Sequence, residues 1–172
     1  RLNILIFPNK NLLIKSDNVK RIDNDLIKLI KNMIETMFYY DGLGISAPQI
    51  NVKKNIIIIN TSKTFSQPLV LINPKIIYSI GSTIYKEGCL SFPNIFINVK
   101  RRYKIKIMFL NFYGVNKTLL IDNLLSICIQ HEIDHLNGIT LYNKMSKLKK
   151  KFTFNKMINK NIILIETDVF AS

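Results

Sequence analysis

The feature that most constrains the fold is the segment QHEIDHLNG (Gln130–Gly138), which holds the chain's two histidines. His131 and His135 stand four residues apart, and on an α-helix this spacing lets two imidazoles converge on one metal ion. Glu132 points about a quarter-turn away, where its carboxylate can take a proton from a water bound to that ion. The segment therefore predicts an H-E-x-x-H metal helix rather than a core helix with two satisfied histidines.

A catalytic metal site usually has three protein ligands and one open position, so a third ligand is needed. The extended H-E-x-x-H-x-x-G-x-x-H pattern would place a histidine where this chain has Leu141, and the one downstream glutamate, Glu166, lies in an apolar tail. Cys128 precedes His131 by one turn on nearly the same helix face. Cys89 lies in a separate turn-like segment, EGCLSFP, and a separate segment completes a tetrahedron more easily. Cys89 is therefore the favoured third ligand.

Hydrophobic periodicity indicates the α+β class. It predicts an N-terminal helix over Asp23–Tyr40, with Gly42 after its end, and a C-terminal helix near Met145–Ile158. GLGISAPQ is predicted to be a loop, and Asp122 is predicted to cap the metal helix. Strands are predicted at Asn55–Ile59, Leu69–Asn73 (ended by Pro74), Ile76–Tyr85 (a pair bent at Gly81), Phe96–Val99, Tyr103–Phe112 and Lys117–Ile121. Clustered strands around well-separated helices predict a single domain, residues 1–172, with mixed or antiparallel sheets packed around the central metal helix.

The charge and composition narrow the possible partners and compartments. The net charge is +14, but the lysines are scattered, as expected of an AT-rich genome, except in KMSKLKKK (Lys144–Lys151). That cluster could contact ribosomal RNA, whereas no DNA partner is expected. No apolar stretch approaches the ~20 residues that span a bilayer, so no membrane partner is expected either. The two cysteines and the absence of a signal-peptide layout favour the cytoplasm, or an organelle stroma or matrix if a transit segment has been removed.

Three motifs together resemble a known family. GLGISAPQ (Gly42–Gln49), EGCLS (Glu87–Ser91) and QHEIDH (Gln130–His135) resemble the signature motifs of peptide deformylase, in the family's order and with similar separations. The resemblance runs from the first apolar segment to beyond Tyr142. Ser46 stands where many members have alanine. Phe96 stands where some members carry an arginine near the substrate cleft, which leaves the preference beyond the first substrate residue open.

The resemblance implies removal of the N-formyl group from nascent chains that begin with formylmethionine. It implies that Cys89, His131 and His135 hold one divalent ion, with Fe(II) favoured and zinc, nickel or cobalt also compatible. Glu132 would take a proton from water and pass it to the departing amine. Two donors would stabilise the formyl oxygen, the Gln49 side chain and the Leu90 N–H. Substrate contacts are assigned to Leu43, Gly44, Gly88, Leu124, Ile127 and Cys128.

Several alternatives stay open from the sequence. Glu87 is either a metal ligand or, as favoured, a brace against Arg101, and Asp134 is either a partner of the site or a solvated helix residue. Gln49 taken alone would be a surface loop glutamine. At the level of function, the alternatives are a zinc endopeptidase with a non-cysteine third ligand, and a basic ribosome- or RNA-binding protein without catalysis.

Overall fold

A five-stranded antiparallel sheet and a separate two-stranded hairpin enclose the central helix. The computed structural model describes residues 1–62 and 68–170, with side chains described up to residue 159. The helices are α1 (Asn24–Tyr39), α2 (Asn123–Leu136) and α3 (Lys147–Phe170). The strands are β1 (Gly44–Ser46), β2 (Ile56–Ile59), β3 (Leu69–Ile80), β4 (Thr83–Cys89), β5 (Phe92–Arg101), β6 (Lys104–Leu110) and β7 (Asn116–Asp122). In the described residues this is an α+β fold with antiparallel sheets, which confirms the predicted class.

The larger sheet has the strand order β1-β2-β3-β6-β7, and β4 pairs with β5 as the hairpin. All four isoleucines of β2 are buried, since β2 lies inside the sheet with α2 packed against it. A strand buried on both faces carries a continuous apolar run rather than an alternating one. The continuous run of four isoleucines is therefore the feature that predicts β2 from the sequence.

The N-terminal helix is close to its predicted position. Its apolar stripe, Leu26, Ile30, Met33 and Met37, is buried in a core cluster that also contains residues of β1, β2 and β3. The Asp23 carboxylate accepts a hydrogen bond of 3.0 Å from the Leu26 N–H. This bond satisfies one of the otherwise unpaired amides of the first turn, and its negative charge suits the helix N-terminus.

Asp122 precedes α2 as predicted, but its side chain does not cap the helix. The following residue, Asn123, has φ of 53°, which turns the chain sharply out of β7 and into the helix. The Asp122 carboxylate instead accepts a hydrogen bond of 3.2 Å from the Asn123 side chain and lies 3.9 Å from the Lys104 ammonium. The predicted location is therefore right and the predicted capping bond is wrong.

Two further predictions of local structure are corrected. GLGISAPQ is not a loop, because Gly44–Ser46 form β1 and Ala47–Ile50 form a 3₁₀ helix. Strand β3 does not end at Pro74. It continues through a β-bulge next to Asn73, whose φ is 50°. A bulge tolerates proline because the ladder is already interrupted there. The Asn73 side chain secures this bulge by bonding both the N–H and the carbonyl of Val19.

The chain leaves one sheet and enters the other at Gly81. This residue has φ of 68°, in the region that favours glycine, and lies between β3 and β4. The predicted strand pair bent at Gly81 is therefore wrong in its pairing, since β3 pairs with β6 and β4 pairs with β5.

Helix α3 is longer than the predicted helix. It begins at Lys147 and ends at Phe170, and the side chains of Thr153 and Met157 are buried. Among the described residues, no helix combines the length and apolar character needed to cross a membrane.

Candidate metal centre

The hairpin and the central helix bring together the three residues that are candidate metal ligands through sulfur or nitrogen. Cys89 ends β4 at the point where the chain turns back into β5, while His131 and His135 lie on α2. One ligand atom from each of these residues lies within 4.8 Å of the others. The Cys89 Sγ lies 3.2 Å from the His135 Nε2. Both histidines are buried.

This cluster fits a tetrahedral metal ion. Ligand bonds of about 2.3 Å for sulfur and about 2.0–2.1 Å for nitrogen place two tetrahedral ligands about 3.5 Å apart. The observed separation of 3.2 Å between sulfur and nitrogen is close to that value. Burial lowers the pKa of His135 well below its usual value, which keeps this imidazole neutral as a ligand must be. The residues therefore could hold a divalent ion.

Glu87 orients His131. A Glu87 carboxylate oxygen lies 2.8 Å from the His131 Nδ1, which leaves Nε2 as the nitrogen free to bind an ion. Burial works to lower the pKa of His131, but the Cys89 and Glu87 side chains outweigh it and raise the pKa above its usual value.

A buried ion network supports this contact. The Arg101 guanidinium donates hydrogen bonds of 2.7 and 2.9 Å to the two Glu87 oxygens and one of 2.6 Å to Asp134. The favoured interpretation of Glu87 as a brace is thus confirmed by its contacts. Asp134 is a partner of the network rather than a solvated residue, and it also lies 3.6 Å from the Lys144 ammonium. Asp134 lies three residues after His131 on the helix, a spacing that is compatible with a place in the network but does not by itself predict one.

The network sets the charge state of Glu87. Burial acts to raise the pKa of its carboxyl, but hydrogen bonds from Arg101 and His131 outweigh burial and lower it to about 2. Glu87 is therefore ionised in the folded chain at neutral pH. An ionised carboxylate that is committed to Arg101 and His131 is poorly placed to bind the ion as well.

Glu132 lies at the centre with one carboxylate oxygen unpaired. Its Oε2 is buried and has no hydrogen-bond partner among the described residues. Burial raises the pKa of Glu132 to about 7, although the His131 charge and a hydrogen bond from Ser46 oppose the shift. A carboxyl group with a pKa near neutrality can both accept and return a proton. A Cβ added to Gly44 would come within 2.9 Å of the Glu132 Oε1, so Gly44 leaves room for this carboxylate.

Gln49 is a buried residue of the site and not a surface glutamine. Its side chain is anchored through Oε1, which accepts hydrogen bonds from the Ser46 N–H at 2.9 Å and the Ser46 hydroxyl at 3.0 Å. Its Nε2 donates to the Cys89 Sγ at 3.4 Å and to the Ser91 hydroxyl at 3.3 Å. The amide N–H₂ is thereby directed at the metal cluster. The bond to Ser91 was not predicted from the sequence. The one sequence feature that pointed to Ser91 was its position in the EGCLS motif.

The predicted substrate contacts lie on the elements around this cluster. Leu124, Ile127 and Cys128 precede His131 on α2 by seven, four and three residues, so they share its helix face. Leu43 and Gly44 lie at the start of β1, which packs against α2. Gly88 precedes Cys89 in β4, and Leu90 follows it in the turn. These are positions, and the roles of the residues stay predictions.

Cys128 has the character of a core thiol. It packs with the cluster that contains Ile129 and Leu136, and burial raises its pKa to about 12. A metal ligand must be a thiolate, which this environment opposes. Among the residues with described side chains, Cys89 is the cysteine grouped with both histidines. The side chain of Glu166 lies outside the described residues.

A half-buried thiol on β4 that faces two imidazoles of an H-E-x-x-H helix, within an α+β scaffold, defines a metal-dependent hydrolase. Residues 1–151 match the family described as polypeptide deformylase. A peptide deformylase of Wigglesworthia glossinidia brevipalpis is 43% identical over 148 residues, covering 86% of this chain and 97% of that protein. The chain belongs to the polypeptide deformylase family.

Solved structures agree with this assignment. A peptide deformylase from Ehrlichia chaffeensis superposes with a TM-score of 0.90 at 34% identity, covering 95% of this chain and 98% of that one. A peptide deformylase from the same organism, in complex with actinonin, gives a TM-score of 0.88 at 35% identity, covering 92% and 96% of the two chains.

We expect the two cysteines to differ in their effect on bound metal. Cys89→Ser should lose bound metal, because it replaces the thiolate that faces both histidines. Cys128→Ala should retain metal, since it removes only a partly buried thiol whose pKa is raised. Elemental analysis of both purified variants measures this difference. Full metal in Cys89→Ser together with loss in Cys128→Ala would reverse the assignment.

The lowered pKa of Glu87 predicts acid-sensitive stability in the metal-free chain. Because its folded pKa of about 2 lies below the ordinary value of 4.5, its stabilising effect is present above about pH 4.5 and is lost as pH falls toward 2. Glu87→Gln should therefore lower the free energy of unfolding on the order of 3 kcal/mol at pH 6 and progressively less toward pH 2. Urea titrations across this range test it, with Glu35→Gln on exposed α1 as the control. A pH-independent difference would contradict it.

Proposed function

We propose that this chain removes the N-formyl group from nascent polypeptides that begin with formylmethionine, releasing formate. The observation that carries the proposal is the convergence of Cys89, His131 and His135 with Glu132, whose Oε2 has no hydrogen-bond partner among the described residues, in a member of the deformylase family. The substrate is a linear formamide, and hydrolysis needs an activated water, a proton carrier and donors for the developing oxyanion. The site contains candidates for each.

A divalent ion held by Cys89, His131 and His135 would polarise the formyl carbonyl and lower the pKa of an adjacent water. Glu132 would accept the proton of that water and deliver it to the departing amine. A pKa of about 7 suits both transfers, because neither protonation state is strongly favoured. The buried position of Glu132 keeps bulk water from competing for its proton.

Two donors would stabilise the negative charge that develops on the formyl oxygen. The Gln49 Nε2 is directed at the cluster by the bonds that Ser46 makes to its other amide atom. Such preorganisation is what makes a donor effective, since it needs no reorientation during the reaction. The Leu90 N–H lies one residue beyond Cys89 and is proposed as the second donor.

The methionine side chain would lie against the helix face that carries the metal ligands. We assign this pocket to Leu43, Leu124, Ile127 and Cys128, with the backbones of Gly44 and Gly88 on either side. The partly buried thiol of Cys128, whose pKa is raised, suits an apolar pocket. An apolar lining of this kind would match the unbranched methionine side chain.

We infer that the working metal is Fe(II). One thiolate with two imidazoles suits iron and is also compatible with zinc, nickel or cobalt. The single thiolate gives the site a lower net charge than three neutral histidines would.

Ribosome contact is a further part of the proposal. Lys144–Lys151 runs from the residue that ends a 3₁₀ helix into the first turns of α3, where Leu148 and the neighbouring Phe152 are 80% and 58% exposed. Exposed apolar groups among lysines suit an anionic surface with apolar recesses, such as ribosomal RNA. This partner is consistent with a cytoplasmic location, or with the stroma or matrix of an organelle.

The two alternative functions are not favoured. A zinc endopeptidase would need a non-cysteine third ligand, whereas Cys89 lies with both histidines. A binding protein without catalysis would explain the charge but not the buried carboxylate beside a metal cluster.

The role of Glu132 is tested by formate release from a formyl-Met-Ala-Ser peptide. Glu132→Ala should keep its metal and its KM, because the ligands and the methionine pocket are untouched, while kcat falls by about 10²–10⁴-fold or more. Metal content, KM and kcat are measured on one anaerobic preparation. Full metal with kcat reduced less than about tenfold would rule out the proton-carrier role.

The metal proposal predicts sensitivity to air. Oxidation of Fe(II) or of the Cys89 thiolate dismantles the site, so the iron-loaded protein should lose activity in air faster than a nickel-loaded sample. Parallel time courses of formate release in air and under argon measure this difference. Equal lifetimes of the two samples in air would count against iron.

A further inference from the structure

An exposed aromatic ring lies over the residue that precedes Cys89. Phe96 is 54% exposed, although it lies on a strand whose alternate residues are buried. Its ring lies over Gly88, because a Cβ added to that glycine would come within 2.7 Å of the Phe96 Cε1. Gly88 immediately precedes Cys89. The missing side chain at Gly88 thus places an apolar surface next to the ligand-bearing end of β4.

The same face of the β4–β5 hairpin carries positive charge. Lys86 and Lys100 are exposed, and the register of the two strands places both on the face of Phe96. The Lys86 Nζ lies 5.9 Å from the centroid of the Phe96 ring. We call the surface formed by Phe96, Lys86 and Lys100 the Phe96–Lys86 shelf.

No carboxylate of the hairpin neutralises this shelf. The one acidic residue in β4 and β5 is Glu87, which lies on the opposite, buried side of the strand. Its charge is already matched by the Arg101 guanidinium. The two ammonium groups of the shelf therefore attract an anion that approaches from solvent.

The shelf lies within reach of a bound peptide. Among the described strands, β4 pairs with β5 alone, so its other edge is open to an extended chain. An extended strand rises about 3.3 Å per residue, so the path from Cys89 to Lys86 is about 10 Å long. A peptide whose first residue is at the metal cluster can bring residues two to four over this distance.

We propose that the Phe96–Lys86 shelf gives this chain a preference for nascent peptides with an acidic side chain at one of residues two to four. The inference rests on the proposed deformylation, since it concerns the residues that follow formylmethionine. Lys86 and Lys100 attract the carboxylate, and the Phe96 ring packs against the aliphatic part of the same side chain. A lysine at that position meets repulsion instead.

Formyl-Met-Ala-Ala-Ala peptides with a single glutamate or a single lysine at residue two, three or four test the preference. At low salt, kcat/KM from formate release should favour glutamate over lysine by about five- to tenfold at one position, since attraction and repulsion act together. The ratio should shrink at about 0.5 M salt, because exposed charges are screened. Equal kcat/KM for both residues at all three positions would overturn the inference.

Variants connect the preference to the shelf. Lys86→Gln should bring the ratio toward one, and Lys86→Glu should reverse it in favour of lysine. Lys31→Glu, the same charge change on the exposed face of α1, should leave the wild-type ratio. Phe96→Ala should raise KM for the preferred glutamate peptide more than for the all-alanine peptide. A ratio that stays at its wild-type value in both Lys86 variants would overturn the inference.

The two proposals fail in different ways. If the metal-loaded wild type releases no formate from any of these peptides, including the all-alanine one, the proposed function is wrong and the inference falls with it. If formate is released from all of them at rates independent of charge, deformylation stands and only the shelf is wrong.

Discussion

The buried guanidinium of Arg101 joins the segments that form the metal centre. It lies at the end of β5, bonds Glu87 of β4 on one side and Asp134 of α2 on the other, and Glu87 in turn bonds His131. A buried cation is costly unless it is paired, and here each of its partners is a carboxylate. Loss of Glu87 would leave the Arg101 guanidinium without its buried counter-charge, because Asp134 is partly exposed and is shared with Lys144. The hairpin that carries Cys89 and the helix that carries the histidines are thereby held together before any metal binds.

This arrangement separates two glutamates by environment. Glu87 makes bonds to Arg101 and His131 and is held ionised, whereas Glu132 is buried with one oxygen unpaired and has its pKa raised to about 7. The Glu87 carboxylate holds Arg101 and His131 in position, and the Glu132 carboxylate is available for proton transfer. An unpaired buried oxygen costs stability, and such a cost is typical of groups that act on a substrate.

Glycines and a buried polar pair shape the space around the cluster. A side chain at Gly44 would meet Glu132, so this glycine lets the backbone approach the centre closely, while a side chain at Gly88 would meet the Phe96 ring. Ser46 holds Gln49 by its carbonyl oxygen and so directs the amide nitrogen at Cys89. Facing solvent, the Phe96–Lys86 shelf extends the centre along the hairpin. The reactive groups thus lie where backbone segments of β1, β4 and α2 meet.

The amino-acid sequence was enough to predict the H-E-x-x-H helix, its histidine pair and its glutamate, because helical periodicity places these side chains on adjacent faces. It also determined α1 and the buried run of β2, since continuous or periodic apolar residues need no distant partner to be recognised. The three-dimensional fold, by contrast, set the course of β3 through Pro74, because a bulge secured by Asn73 and Val19 joins residues far apart in sequence. It likewise decided that GLGISAPQ forms β1 and a 3₁₀ helix, that Asp122 does not cap α2, and that Asp134 belongs to the Arg101 network. Each of these depends on partners from other segments, and local sequence preferences carry no information about which distant groups will satisfy them.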